Sequence, residues 1–181
     1  YLAIRNLFYT GVGQIEETTV CALVNSSVGA NQIIASFDRS EYWRLSMVDD
    51  QGNLSVAWDT DKGATHDLST DDQYTDGEWH YICGWFNQSP NGLEDKKIFI
   101  DGQEITSSNG HDDGAMGSGL TRYGFIGTGS EALTFNSTAT PAYYFNGVID
   151  ELRISTVARE SSWINVTAQN LMNNSLYTIG A

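Results

Sequence analysis

Carboxylates are the side chains of this sequence with the clearest capacity for chemistry, and Asp150 is the first candidate among them. It lies in a run where strand alternation places Val148, Asp150, Leu152 and Ile154 on one side. A carboxylate that points the same way as three apolar side chains must find hydrogen-bond donors, a cation or a proton. Arg153 faces the opposite side in this pattern, so it is a poor partner for Asp150.

A second polar group is the segment Asp38-Arg39-Ser40-Glu41, which is followed directly by Tyr42 and Trp43. Charged loops beside aromatic residues are common places for ligands to bind. The alternative is a solvated hairpin that holds an internal Arg–carboxylate pair, and the residues leave both interpretations open.

Catalytic groupings are missing from the sequence. A glycoside hydrolase needs two carboxylates at a fixed separation, and on a strand these lie two or more residues apart. Asp150 and Glu151 are adjacent, so their side chains point to opposite faces. There is no G-x-S-x-G or H-E-x-x-H pattern, and the three histidines lack the spacing of a zinc site. We therefore expect a protein that is not an enzyme.

The two cysteines are candidates for a disulfide. Cys21 and Cys83 each lie inside an apolar, strand-like run. If those strands are neighbours, the two sulfurs can face each other at a cross-strand pair within disulfide reach. A bridge would place the domain in an oxidising compartment. The alternative is two buried free thiols that pack as small hydrophobic side chains.

Composition excludes several classes of partner. The chain of 181 residues has 9 Lys and Arg against 23 Asp and Glu, a formal net charge of −14. That charge opposes binding to nucleic acid or to an anionic membrane surface. No run approaches the roughly 20 apolar residues of a membrane-spanning helix, so no direct membrane insertion is expected. With 40% hydrophobic residues and five Trp, the chain can build a substantial core.

The elements that must position these residues are short strands bounded by Gly, Asn, Asp or Ser. The sequence predicts nine or more of them, with a single short helix at residues 161–170 whose shared face would carry Trp163, Val166 and Asn170. This pattern predicts one all-β domain over residues 1–181, an antiparallel two-sheet jelly-roll sandwich. Because Tyr1 opens directly into strand-like sequence, we expect a segment processed or excised from a larger protein. The predicted strands are residues 18–24, 32–37, 42–48, 54–58, 79–86, 97–100, 122–127, 143–145 and 148–155.

Several motifs in order resemble those of the laminin-G-like domains of the concanavalin A-like lectin/glucanase superfamily. Residues 77–86 read Gly-Glu-Trp-His-Tyr-Ile-Cys-Gly-Trp-Phe, and residues 97–102 read Lys-Ile-Phe-Ile-Asp-Gly. Residues 145–154 read Phe-Asn-Gly-Val-Ile-Asp-Glu-Leu-Arg-Ile, with an Ala-Arg turn at 158–159. Residues 34–45 and 126–132 are similar to domains of large prokaryotic surface adhesins and pilus-associated proteins.

The resemblance implies a jelly-roll fold and a set of candidate binding residues. Members of the family often carry Ca²⁺, which makes Asp150 and Asp38 candidate metal ligands, with a purely hydrogen-bonded Asp150 as the alternative. Sugars or cations dock on rim loops of this fold, which makes a ligand-binding set of Asp38, Arg39, Glu41, Tyr42, Trp43 and Glu131. Six further aromatic residues are candidates for a sugar-stacking platform, with core and rim packing as the favoured alternative for most of them: Trp58, Tyr74, Trp85, Tyr123, Tyr143 and Tyr144.

The function that the resemblance implies is non-catalytic recognition at a cell surface. We expect an extracellular, lectin-like domain in cell adhesion that binds carbohydrate, with a glycan or cell-surface partner and a possible requirement for Ca²⁺. The alternative is a structural spacer or a filament or pilus subunit, which would associate with itself through edge strands that start at Tyr1. A polysaccharide-active enzyme is the weaker alternative.

Overall fold

The computed structural model describes residues 1–38, 40–48, 55–61, 68–88, 96–105, 114–129, 132–135 and 143–173. Its elements are β1 (Leu2–Tyr9), β2 (Val12–Ile15), β3 (Glu17–Asn25), β4 (Gln32–Ser36), β5 (Trp43–Val48), β6 (Ala57–Thr60), β7 (Leu68–Ser69), β8 (Trp79–Asn87), β9 (Lys96–Ile100), β10 (Gln103–Ile105), β11 (Met116–Ser118), β12 (Arg122–Ile126), β13 (Val148–Ser155) and α1 (Ser161–Met172).

The strands form antiparallel sheets that face each other. A six-stranded sheet has the order β1-β12-β4-β5-β6-β7, and a five-stranded sheet has the order β10-β9-β8-β3-β13. The pair β11-β2 forms a small third sheet. The predicted all-β fold class is confirmed, with the one helix near the end of the chain. The predicted strand at residues 143–145 is wrong, because the backbone of Tyr143 and Phe145 makes single bonds to Ile33 and Gly127 instead of a ladder.

Aromatic side chains fill the space between the two sheets. Phe37, Trp43 and Trp58 form a continuous row, with ring centroids 5.0 and 5.6 Å apart. Two glycines make room for these rings: a Cβ at Gly84 would lie 2.3 Å from Trp58 Cε3, and one at Gly124 would lie 2.2 Å from Phe37 Cζ. The core therefore depends on large rings that pack directly onto glycine backbone, on the opposing sheet at Gly84 and on a neighbouring strand at Gly124.

A second apolar cluster lies on the outer face of the five-stranded sheet, beneath α1. Cys21 and Cys83 are opposite each other on β3 and β8, with Cα atoms 4.1 Å apart, and form a disulfide. The predicted bridge is confirmed. Ile164 and Ala168 of α1 pack against this buried region.

The predicted face of the helix is wrong. Val166 is exposed, whereas Ile164, Thr167 and Ala168 are the buried positions of α1. Their spacing of three and four residues is the one that places side chains on a single helical stripe.

Candidate binding surface

The Asp38 loop is held closed by an arginine from a distant strand. Arg122 Nε donates to Asp38 Oδ2 at 2.7 Å, and Arg122 Nη2 lies 3.2 Å from Glu41 Oε2. Asp38 has a φ of +68°, and its Oδ1 accepts a bond from the Ser40 backbone N–H at 3.0 Å. The three charged side chains are almost wholly buried. A buried Arg–carboxylate cluster therefore occupies this loop, with the arginine supplied by β12 and not by the loop itself.

The two aromatic residues of that loop belong to the core. Tyr42 and Trp43 are fully buried, so the expectation that they flank an open rim is wrong. Burial raises the pKa of the Tyr42 hydroxyl, which donates to the Leu120 carbonyl at 2.8 Å. Arg39 and Glu131 lie outside the described residues. A ligand-binding role for this set stays a prediction.

Asp150 differs from the expectation in where its side chain points. The register of β13 on β3 shifts between Asp150 and Arg153, and Glu151 within this bulge has a φ of +49°. The bulge resets the alternation, so that Ile149 before it and Leu152 after it both pack on the core. Asp150 is exposed, and the expectation of its burial is wrong.

Asp150 and its neighbours make local polar contacts. Asp150 Oδ1 accepts the backbone N–H of Glu151 at 2.7 Å, and Arg153 Nη2 donates to Glu151 Oε2 at 2.6 Å. Within the described residues, no group of three or more His, Cys, Asp or Glu side chains is arranged to hold a metal ion. A calcium site at Asp150 or Asp38 stays a prediction.

Solvent-facing aromatic rings gather elsewhere, on the outer face of β1 and β12. We define the aromatic patch as Tyr1, Phe8, Tyr123 and Tyr144. The ring centroids of Tyr1 and Tyr144 are 5.9 Å apart, and those of Phe8 and Tyr123 are 5.4 Å apart. Tyr1, Tyr144 and Phe8 are 56%, 55% and 46% exposed, and Tyr123 is half-buried.

The position of Gly124 in β12 shows on which side of the six-stranded sheet the patch lies. Gly124 faces the core ring of Phe37, so its neighbours Tyr123 and Phe125 point to the opposite face of the sheet, where Phe125 is fully covered. Phe8 pairs with Tyr123 across the strands, and the Tyr1 ring lies 6.1 Å from that of Phe125. Both ring pairs therefore line the same outer surface of the six-stranded sheet.

Sequence reasoning found part of this patch. It named Tyr123 and Tyr144 as sugar-stacking candidates but missed Tyr1 and Phe8, although both lie in one aromatic, strand-like stretch. It also named Trp58, whose ring is fully buried between the sheets, so its place in an exposed platform is wrong.

The fold and its motifs agree with a known family. A model of the concanavalin A-like lectin/glucanases superfamily matches residues 8–165. The chain belongs to that superfamily. This confirms the resemblance stated from the motifs. A comparison with curated protein sequences finds no match.

Solved structures similar to this superfamily member include several binding proteins. A native heptameric SAP-like pentraxin from Limulus polyphemus has a TM-score of 0.58 and 16% identity, over 85% of this chain and 70% of the pentraxin chain. A candidate carbohydrate binding protein from Bacteroides ovatus has a TM-score of 0.62 and 18% identity, over 87% and 42% of the two chains.

Botulinum neurotoxin type C, whose cell entry depends on interaction with two ganglioside molecules, is also similar. Its TM-score is 0.56 at 14% identity, over 88% of this chain and 37% of the toxin chain. The chain thus spans less than half of the Bacteroides and toxin chains. At these identities the likeness shows the fold. Among the described residues, no helix has the length and apolar character needed to cross a membrane.

Proposed function

We propose that this superfamily member is a non-catalytic recognition domain that binds carbohydrate through the aromatic patch. The observation that carries the proposal is the outward position of the rings of the patch. Phe8 and Tyr123 lie on the paired strands β1 and β12, whereas Tyr1 and Tyr144 lie just outside the strands. Sugar rings present apolar C–H faces that stack on exposed aromatic side chains, and a rigid strand pair holds such side chains in fixed places.

Two further features support a carbohydrate ligand. The Bacteroides and neurotoxin structures that share the fold are linked by name to carbohydrate or ganglioside binding. The patch also combines two tyrosine hydroxyls at exposed positions, Tyr1 and Tyr144, with apolar ring faces. Hydroxyl groups beside stacking surfaces can bond the polar edges of a sugar while the rings contact its apolar face.

The test is a glycan array followed by calorimetry on the best ligand. Tyr144→Ala and Phe8→Ala should each weaken binding at least about fivefold, because a stacking contact contributes about 1 kcal/mol. Trp79→Ala is the matched control, since Trp79 is 41% exposed on β8 of the other sheet. The affinity of the Trp79→Ala variant for the glycan should stay unchanged. The proposal would be contradicted if no glycan on a broad array bound the domain, or if all three variants lost affinity equally.

Calcium dependence and an extracellular location are separate parts of the proposal. The Cys21–Cys83 disulfide supports an oxidising compartment. The array repeated with EDTA tests the requirement for Ca²⁺, and Asp150→Asn and Asp38→Asn test the two predicted ligands. Binding that survives EDTA and both substitutions would remove calcium from the proposal and leave the aromatic patch in place.

A structural role without a small ligand is the second candidate. β1 is the outermost strand of the six-stranded sheet within the described residues, and Leu2 on it is 66% exposed. An open strand edge can pair with a strand of another copy. This role would be favoured if light scattering shows concentration-dependent assembly that Leu2→Lys abolishes, and if no glycan on the array binds.

A further inference from the structure

His80 bridges two carboxylates that come from different parts of the chain. Its Nδ1 lies 2.9 Å from Asp101 Oδ2, and its Nε2 lies 3.2 and 3.3 Å from the two carboxylate oxygens of Asp76. The side chain is only 13% exposed. A neutral imidazole has one N–H, so only the protonated ring can donate to both carboxylates.

Each carboxylate is fixed by a second bond. Asp101 has a φ of +52° in the turn between β9 and β10, and its Oδ1 accepts the Tyr81 N–H at 2.8 Å. Asp76 Oδ1 accepts the backbone N–H of Glu78 at 2.9 Å. The histidine therefore joins residues 70–78, the start of β8 and the β9–β10 turn at one point.

Two further described neighbours of the ring, Tyr74 and Val24, are uncharged at neutral pH. Tyr74 approaches edge-on, with ring centroids 5.2 Å apart, and the β3 residue opposite His80 is Val24. The hydrogen bond to Asp101 raises the pKa of His80 above its ordinary value of 6.5, partly offset by desolvation and reinforced by Asp76.

We propose that His80 is a pH-sensitive clamp that holds residues 70–78 and the β9–β10 turn against β8 while protonated. When it loses its proton the clamp loosens, because the neutral ring keeps one N–H and no charge. The turn in question also supports α1. Gly102 has a φ of +84°, and its carbonyl accepts a bond from Asn165 Nδ2 of α1 at 3.3 Å. Opening of the clamp therefore loosens the contact between the β9–β10 turn and the helix.

The direction of the pH effect follows from proton linkage. Because the folded protein binds the His80 proton more tightly than the unfolded chain does, the clamp contributes its full stability below about pH 6.5. That contribution falls as pH rises through the raised folded-state pKa of His80. Each unit of pKa difference changes the folding equilibrium about tenfold.

The direct test is NMR titration of the ¹⁵N-histidine-labelled chain. The sequence has three histidines, and the signal absent from His80→Gln identifies His80. We expect its ring to keep both N–H protons above pH 6.5 and to titrate at a higher pH. A His80 that titrates at or below 6.5, or that carries one N–H at pH 6, would overturn the proposal.

A local readout separates the clamp from general stability. Hydrogen exchange of the Tyr81 amide, corrected for its intrinsic pH dependence, should lose protection as the His80 ring deprotonates. His80→Gln should abolish the pH dependence of both Tyr81 protection and urea unfolding between about pH 5.5 and 8.5. His66→Gln is the control and should retain it. Tyr81 protection that stays constant through the His80 titration would contradict the clamp even if the variant fails to fold.

Discussion

Arg122 is the residue on which the Asp38 loop depends. Its guanidinium contacts two buried carboxylates, those of Asp38 and Glu41, and sequence inspection gave no reason to pair it with either. A single cation shared by two buried carboxylates is costly to remove, because both carboxylates then stay desolvated without its charge.

We predict that Arg122→Met destabilises the protein by about 3–5 kcal/mol, since it leaves the Asp38 carboxylate buried beside an apolar side chain. Arg153→Met is the matched control. The Arg153–Glu151 pair is well exposed, and surface pairs contribute about 0–1 kcal/mol. Urea unfolding of both variants gives the comparison, and equal losses would mean that burial does not distinguish the two pairs.

Gly84 is a second residue whose identity is set by packing. A Cβ there would overlap the Trp58 ring at 2.3–2.9 Å, so Gly84→Ala must displace the indole or the strand. We expect a loss of about 1–3 kcal/mol in the free energy of unfolding. Gly11→Ala should cost much less, because the three atoms nearest to its new Cβ all belong to the Gln14 side chain, at 3.2 Å or more. A neutral Gly84→Ala in thermal unfolding would show that the ring moves freely.

At the scale of elements, α1 serves as the cover of the disulfide. Ile164 and Ala168 lie over the bridge between β3 and β8. The bridge closes 62 positions of sequence, which corresponds to about 4 kcal/mol of stabilisation in a chain-entropy model. Helix packing and cross-linking therefore protect the same outer face of the five-stranded sheet.

We predict that Ile164→Ala costs about 2–5 kcal/mol and speeds reduction of the disulfide by dithiothreitol, because it loosens the helix from the sulfurs. Val166→Ala on the same helix should lie within about 0.5 kcal/mol of wild type, since Val166 is 55% exposed. Unfolding curves and thiol-release rates test the pair together. Equal rates would mean that α1 does not shield the bridge.

β13 shows how one irregularity changes which residues can serve a site. A strand without a bulge would aim Asp150 at the core together with Leu152, as the alternation predicts. The left-handed backbone of Glu151 instead shifts the alternation by one residue. The side chains that pack on the core are therefore Ile149 before the bulge and Leu152 after it. The only bulge signal in the sequence is a charged Asp-Glu pair within an apolar run.

At the scale of the whole molecule, the net charge of −14 is a source of self-repulsion. Added salt shortens the screening length from about 30 Å at 0.01 M to about 10 Å at 0.1 M. We therefore predict that the free energy of unfolding rises between about 10 and 150 mM NaCl, as measured by urea titration.

The control for this salt effect is a variant with two fewer negative charges, Glu16→Gln with Asp71→Asn. Both side chains are exposed. Their removal should reduce the slope of stability against salt. A slope that is flat in wild type, or unchanged in the variant, would show that the acidic surface does not destabilise the fold.

Sequence patterns predicted the all-β class, the superfamily, the Cys21–Cys83 bridge as one of two alternatives, and eight of the nine named strand regions in approximate position. Alternation and turn residues are local, and a disulfide between two strand interiors needs only that the strands be neighbours. These features are readable because the physical cause and the residues that carry it lie close together in the chain.

Only the tertiary structure decided which polar and aromatic side chains meet solvent. The partner of Asp38 is Arg122, the partner of His80 is Asp101, and Tyr1 meets Tyr144 from the other end of the chain. Such contacts depend on strand order and on bulges, which short-range patterns do not encode. Burial is a property of the assembled sheets, and for that reason the complete aromatic patch and the His80 clamp require the tertiary structure.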